Sequence, residues 1–207
     1  MSKKPIIVFE GIEASGKTTN IKKVCEYLNK INKKYIKIRE PGGSINSEIL
    51  RSMILNKKSK FNLKTDLLLI LASRSENMEK IINKNINKKI ILIDRFIDST
   101  IAYQHYGIGI NLNLIQRMNK FVVGNFIPSL TILSLVNRSN FKKRLKIRNT
   151  LNKYDKFKYS FYQKVQKGFI KIAKNKSKYI IIDSNKNNIE ENANIIIKKI
   201  KKIIKKK

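Results

Sequence analysis

The chain has 207 residues, 42% of them hydrophobic and 29% charged, a length and balance that suit one globular core and exclude a low-complexity or fibrous polypeptide. Lys and Arg number 46 against 14 Asp and Glu, a net charge of +32, and the single cysteine, Cys25, excludes an intramolecular disulfide. An excess of this size attracts polyanions, yet it is spread as Lys along the whole chain, among Asn and Ile, rather than gathered as an Arg-bearing patch; we therefore read it as compositional drift and expect no specific nucleic-acid partner. No apolar run approaches the ~20 residues that span a bilayer, and the N-terminal residues lack a signal-peptide layout. With a lone thiol at helical spacing from Ile21, Val24 and Leu28, the expectation is a cytoplasmic chain with no membrane partner and with Cys25 as core material.

In chain order, residues 5–9 form a β-branched and aromatic run that predicts a strand. Gly11-Ile12-Glu13-Ala14-Ser15-Gly16-Lys17-Thr18 follows at once. It matches glycine, four residues, glycine, lysine and threonine in full, and it leads into a helix over residues 18–29. Glycines let the backbone wrap a phosphate closely, successive N–H groups converge on it, and the helix start adds partial positive charge. Lys17 then reaches the β- and γ-phosphates, Thr18 can place its hydroxyl on Mg²⁺, and Thr19 completes the loop. This is a nucleoside triphosphate site.

A second strand over 35–38 runs into Arg39-Glu40-Pro41-Gly42-Gly43, a turn before Ser44, which caps a helix over 44–55. A long helix over 63–86 carries Arg74 among apolar positions, where a guanidinium needs a structural carboxylate or a bound base as partner. The third strand, 90–94, ends in Asp94-Arg95 at the carboxyl edge where open α/β sheets bind ligands; Asp94 can orient Mg²⁺ and Arg95 can fork onto a second phosphate. Ser99, Thr100, Tyr103 and Gln104 follow with hydroxyls, an aromatic ring and an amide. His105, the only histidine, is assigned no chemistry.

A helix over 112–123, a strand over 130–136, a helix over 159–173, a strand over 179–183 and a helix over 189–204 complete the alternation. The expected fold class is α/β: a five-stranded parallel sheet with helices on both faces. Continuous apolar runs at 90–93 and 180–182 read as central strands. The last helix carries Ile196, Ile200, Ile203 and Ile204 as one stripe, predicting that it packs on the sheet rather than on a membrane. Asn152-Lys153-Tyr154-Asp155 has the form of a guanine-specificity motif, but it follows a polar stretch rather than a buried strand, so it reads as coincidence.

Taken in order, Phe9-Glu10-Gly11-Ile12-Glu13, Gly16-Lys17-Thr18-Thr19, Arg39-Glu40-Pro41-Gly42-Gly43, and Asp94-Arg95 with Ser99 and Ala102-Tyr103-Gln104 resemble the thymidylate kinase family over nearly the whole chain. The resemblance implies one P-loop kinase domain over 1–207 with a lid around 142–156, ATP and Mg²⁺ as phosphoryl donor and metal, dTMP as acceptor, and a homodimer. It further implies that Glu13 approaches the deoxyribose 3′-hydroxyl, Arg39 and Arg95 hold the acceptor phosphate, and Arg74 and Gln104 read thymine in a pocket lined by Ser99, Thr100 and Tyr103. Because the phosphate loop carries Ala14 and Ser15 instead of an arginine, it resembles the bacterial subtype with its catalytic arginine in the lid, where Arg144 and Arg148 are the candidates. Two departures stand out: Ile70 replaces the family's usual thymine-stacking Phe, and Asn152-Lys153-Tyr154-Asp155 replaces Asp-Arg-x-Glu. The rivals are a kinase of another monophosphate or of a deoxynucleoside, and a basic GTPase switch or nucleic-acid binder.

Overall fold

The computed structural model describes residues 3–147, 153–174 and 176–205. Its strands, β1 (Ile6–Glu10), β2 (Tyr35–Arg39), β3 (Ile90–Asp94), β4 (Leu130–Leu135) and β5 (Tyr179–Asp183), form one parallel sheet in the order β2-β3-β1-β4-β5. Helix α1 (Lys17–Lys30) follows β1; α2 (Ile45–Leu55) and α3 (Leu63–Asn77) follow β2, with α3 continued by a π-helical turn (Met78–Ile82) and α4 (Asn83–Asn85). After β3 come α5 (Ile97–Thr100), a π-helical stretch (Ile101–Gly107) and α6 (Leu112–Val123). Beyond β4 lie α7 (Arg138–Lys146), a 3₁₀ turn (Lys153–Lys156) and α8 (Tyr159–Ala173), and α9 (Ile189–Lys205) follows β5.

Alternation along the strands sorts the core into two layers, because successive side chains leave opposite faces of a strand. Ile7 and Phe9 of β1 pack with Leu92, Ile132 and Ile182 against Ile21, Val24 and Leu28 of α1 and Ile196 and Ile200 of α9. Ile6 and Val8 join Ile91 and Ile93 on the other face, beneath Met78, Ile82, Phe96 and Val123. The expected stripe on the last helix is therefore used for packing: Ile196 and Ile200 are buried, Ile203 and Ile204 partly so. Cys25 is half-buried at the edge of the same layer. Among the described residues no helix is long and apolar enough to cross a membrane.

One expectation is corrected. The run 180–182 lies on an edge strand, not a central one: among the described residues β5 pairs with β4 alone, and Ile181 is 50% exposed while Ile182 is buried. An isoleucine-rich composition supplies an apolar run even where only one face is covered. The segment 97–107, read only as a polar cluster, is helical. Its start is capped from a distant strand, since the Glu10 carboxylate accepts from Phe96 N at 2.9 Å, Ser99 N at 3.2 Å and Ser99 Oγ at 2.5 Å. Such capping satisfies otherwise orphaned N–H groups but leaves no local signature.

The register puts three strand ends level: Phe9 and Arg39 both face Asp94. Glu40 N and Arg95 N then bond back to Asp94 O and Phe9 O at 2.8 and 2.9 Å. The loops after β1, β2 and β3 consequently open on one edge of the sheet.

Candidate active site

At this edge the chain wraps tightly. Gly11 has φ +138°, and a Cβ there would sit 2.4 Å from the Ser134 carbonyl oxygen, so the first glycine of the phosphate loop is required by space as well as by backbone conformation. Lys17 curls back under the loop, its Nζ donating to Gly11 O at 2.9 Å and Ile12 O at 2.8 Å. Burial, aided by the neighbouring Arg95, pulls its ammonium down to about 8. Thr18 and Thr19 are exposed at the mouth, and the Ser15 hydroxyl is buried without a hydrogen-bond partner among the described residues.

Two cavities meet at this loop. The larger, about 1040 Å³, is lined by Glu13, Ala14, Lys17, Thr18, Arg39, Arg74, Asp94, Arg95, Ser99, Thr100, Tyr103, Gln104 and Arg144. The second, about 740 Å³, is lined by Ala14, Ser15, Gly16, Lys17, Thr18, Thr19 and Arg144, with Ser184 and residues at the start of α9. Ala14, Lys17, Thr18 and Arg144 belong to both. One group of residues thus stands between two ligand-sized spaces, the geometry required for moving a phosphoryl group from one molecule to another.

Arg95 is held in the left-handed region at φ +67°. Its guanidinium donates to Gly11 O at 2.9 Å and to Glu13 Oε1 at 3.0 Å, and it lies 5.2 Å from the Tyr103 ring centre. The Tyr103 hydroxyl donates to Glu13 Oε2 at 2.5 Å. Burial opposes ionisation of Glu13, but Arg95 and Lys17 overcome it and hold the carboxyl below its ordinary range. Glu13 is therefore a fixed anion in the cavity wall, able to accept from a hydroxyl.

Arg74 finds the structural carboxylate: Nε donates to Glu40 Oε2 at 2.7 Å and Nη1 to Asn119 Oδ1 at 2.5 Å, with the guanidinium 5.1 Å from the Phe96 ring centre. It still forms part of the cavity wall beside Ile70 and Gln104. Arg39 is exposed and paired with Glu48 at 3.0 Å. Glu48 also accepts from Gly43 N at 2.8 Å, while Asn77 donates to Gly42 O at 2.7 Å, clamping the Pro-Gly-Gly turn. At Gly43, φ +122°, a Cβ would lie 2.7 Å from Asn77 Oδ1.

Arg144 donates to Ala14 O at 3.1 Å and to Ser184 Oγ and O at 3.0 and 3.1 Å, tying α7 to the phosphate loop. Arg148 lies outside the described residues. The Lys153-Tyr154-Asp155 part of the guanine-motif match sits in the 3₁₀ turn rather than behind a strand, and Lys153 is spent on Asp66. His105 Nδ1 lies 2.8 Å from Ile110 O.

Among the described residues Asp94 Oδ1 is buried without a hydrogen-bond partner, and Thr18 lines both cavities; a carboxylate and a hydroxyl of this kind fit a hard cation that takes its remaining ligands from phosphates and water.

Two residues escaped the sequence reading. Arg51, on α2, joins Arg39 and Arg95 in the larger cavity and donates to Pro41 O at 2.5 Å; its only signal was a cation at helical distance from the Pro-Gly-Gly turn. Glu10 is fully buried, and burial first, then Asp98, push its carboxyl up to about 7. An acidic residue at the end of an apolar strand was the available signal.

Comparison with known proteins agrees with this geometry. The family model described as thymidylate kinase matches residues 9–196. A thymidylate kinase of Mycoplasma capricolum is 41% identical over 185 residues, 87% of each chain, and one of Kosmotoga olearia is 33% identical over 201 residues, 97% of each. The crystal structure of thymidylate kinase from Ehrlichia chaffeensis superposes with a TM-score of 0.78 at 34% identity, covering 97% of this chain and all of that one. With its phosphate loop, paired cavities and arginine cluster in place, the chain belongs to the thymidylate kinase family, enzymes that phosphorylate dTMP to dTDP.

Proposed function

We propose that the chain moves the γ-phosphoryl group of ATP in line onto a phosphate oxygen of dTMP, so that the bond from Pγ to its bridging oxygen breaks and ADP leaves. The observation carrying this reading is the shared wall: Lys17, Thr18, Ala14 and Arg144 face both cavities at once. The smaller cavity takes ATP on the loop from Gly11 to Thr19, and the larger takes dTMP. Arg95 and Arg39, with Arg51, attract the acceptor phosphate, while Glu13 accepts from the sugar hydroxyl beside Tyr103, Ser99 and Thr100. Arg74 and Gln104 face the base.

No strong general base is needed, because a phosphate monoester is largely dianionic near neutral pH, so catalysis rests on positioning and charge stabilisation. Lys17 and Arg95 supply fixed positive charge, and Arg144 or Arg148 adds it from the lid. Thr18 and Asp94 would hold Mg²⁺, which when bound to the nucleotide phosphates supplies charge neutralisation during transfer. Residues 1–207 act as one kinase domain whose lid spans about 142–156, working in the cytoplasm. A homodimer is supported by apolar side chains left exposed on successively packed helices, Ile45 and Ile49 on α2, Leu68 on α3 and Phe121 on α6.

The test is ADP release from ATP and Mg²⁺ with each nucleoside monophosphate offered in turn. Strong preference for dTMP is expected. Preference for another acceptor would replace the substrate, and release without any acceptor would overturn the kinase reading. Lys17→Met should abolish turnover while leaving the far-UV circular dichroism unchanged; near-native turnover would remove Lys17 from the mechanism.

A further inference from the structure

Ile70 leaves the acceptor cavity without an aromatic ring at that point of α3, yet a ring reaches the same cavity from the lid. Tyr154, in the 3₁₀ turn Lys153–Lys156, is part of its wall together with Ile70 and Gln104. The Tyr154 ring meets the Tyr103 ring edge-on, centres 6.0 Å apart and planes at 88°, and Gln104 is close enough to hydrogen-bond its hydroxyl.

What holds that turn in place comes from two helices. Lys153 Nζ donates to both oxygens of Asp66 at 2.6 Å, with the two side chains only 15% and 9% exposed. From α8, the Tyr162 hydroxyl donates to Tyr154 O at 2.6 Å. Asp66, Ile70 and Arg74 stand four residues apart on α3 and are all buried, so they share one face of that helix. The residue that grips the lid therefore lies one turn from Ile70 and two from Arg74, which bounds where the ring beside Lys153 can go. The ammonium itself sits 5.7 Å from the Tyr154 ring centre.

From this arrangement we infer that Tyr154 is a specificity-determining residue, the aromatic wall against which the acceptor base rests, and that Lys153 and Asp66 are positioning residues that latch it there. The inference rests on the dTMP kinase reading above and deepens it. An aromatic face against a base contributes ~1–3 kcal/mol by alanine substitution, which corresponds to roughly 5- to 150-fold in affinity. The closed lid turn also excludes water from the acceptor side.

The experiment measures KM for dTMP, KM for ATP and kcat on the full chain. Tyr154→Ala should raise the KM for dTMP by roughly 5- to 150-fold, with the KM for ATP nearly unchanged; Tyr154→Phe, which keeps the ring, should lose less. Lys153→Met should move the dTMP KM in the same direction, and Lys153→Arg, which keeps the charge, should restore it. Should Tyr154→Ala fold poorly, Tyr154→Leu tests the same loss of a ring with less lost volume. A native KM for dTMP in Tyr154→Ala or Tyr154→Leu would overturn the base-wall role. Equal changes in both KM values on Lys153→Met, or no rescue by arginine, would overturn the latch. These results are separable from failure of the kinase reading itself: absence of dTMP-dependent ADP release in the native chain brings down both, whereas native activity with insensitive variants brings down only this inference.

Discussion

Breaking the Arg74–Glu40 pair tests how the site is supported. Both side chains are almost sealed from water, 1% and 3% exposed, and their contact at 2.7 Å links the turn after β2 to the middle of α3. Burial raises the Glu40 carboxyl, and Arg74 works in the opposite direction, so the pair rather than either residue is the stable unit. Glu40→Leu leaves the Arg74 charge buried, with Asn119 as its remaining side-chain hydrogen-bond partner among the described residues, a loss of about 3–5 kcal/mol for a buried pair broken on one side. With a urea dependence of about 2 kcal/mol per molar, the unfolding midpoint should fall by about 1.5–2.5 M. The assay is urea unfolding without nucleotides, because Arg74 lines the larger cavity and bound ligand would add its own linkage stabilisation. The double variant Glu40→Leu with Arg74→Met should recover at least about 2 kcal/mol relative to the sum of the single changes. A single-variant loss below about 1 kcal/mol, or a double variant equal to the sum, would refute the reasoning.

Three further outcomes follow from the site. Glu10 has a folded value of about 7 against an ordinary 4.5, so the fold holds a proton that the unfolded chain has released: stability contributed by the protonated group is fully present below 4.5 and is lost as pH rises towards 7. Glu10→Gln should flatten that decline by on the order of 3 kcal/mol; thermal melts at pH 4.5 and 8 that change in parallel for both proteins would contradict it. Gly11→Ala should lower the melting temperature and remove stabilisation by ATP, since its Cβ would stand 2.4 Å from the Ser134 carbonyl oxygen; retained protection by ATP in a thermal shift assay would argue against a built phosphate loop. Arg144→Ala should lower kcat by about 10³ if that residue acts as the lid arginine, whereas a native kcat would transfer the role to Arg148.

Local features of the site were legible because they are written in consecutive residues. Gly11 to Thr18 specifies a backbone path by its glycines and its place between strand and helix, and the loop forms where its spacing predicts. Asp94 and Arg95 were found because a strand end announces the sheet edge, and parallel register then aligned that end with those of β1 and β2. Gathering of Arg95, Tyr103 and Glu13 was expected only through the family pattern; their hydrogen bonds, spanning 82 and 90 residues, are visible only in the fold.

By itself, the sequence determined the alternation of β-strand and helix, the phosphate loop and the membership of a kinase family, because hydrophobic period, glycine placement and motif spacing act over a few residues and need no partner. Tertiary structure alone decided which isoleucine run would be an edge, that Glu10 would cap α5 across 86 residues, that Arg51 would join Arg39 and Arg95 in the larger cavity, and that Lys153 would reach Asp66 across 87. Burial and charge pairing depend on which surfaces the completed sheet brings face to face. No window of the chain contains both halves of such a contact.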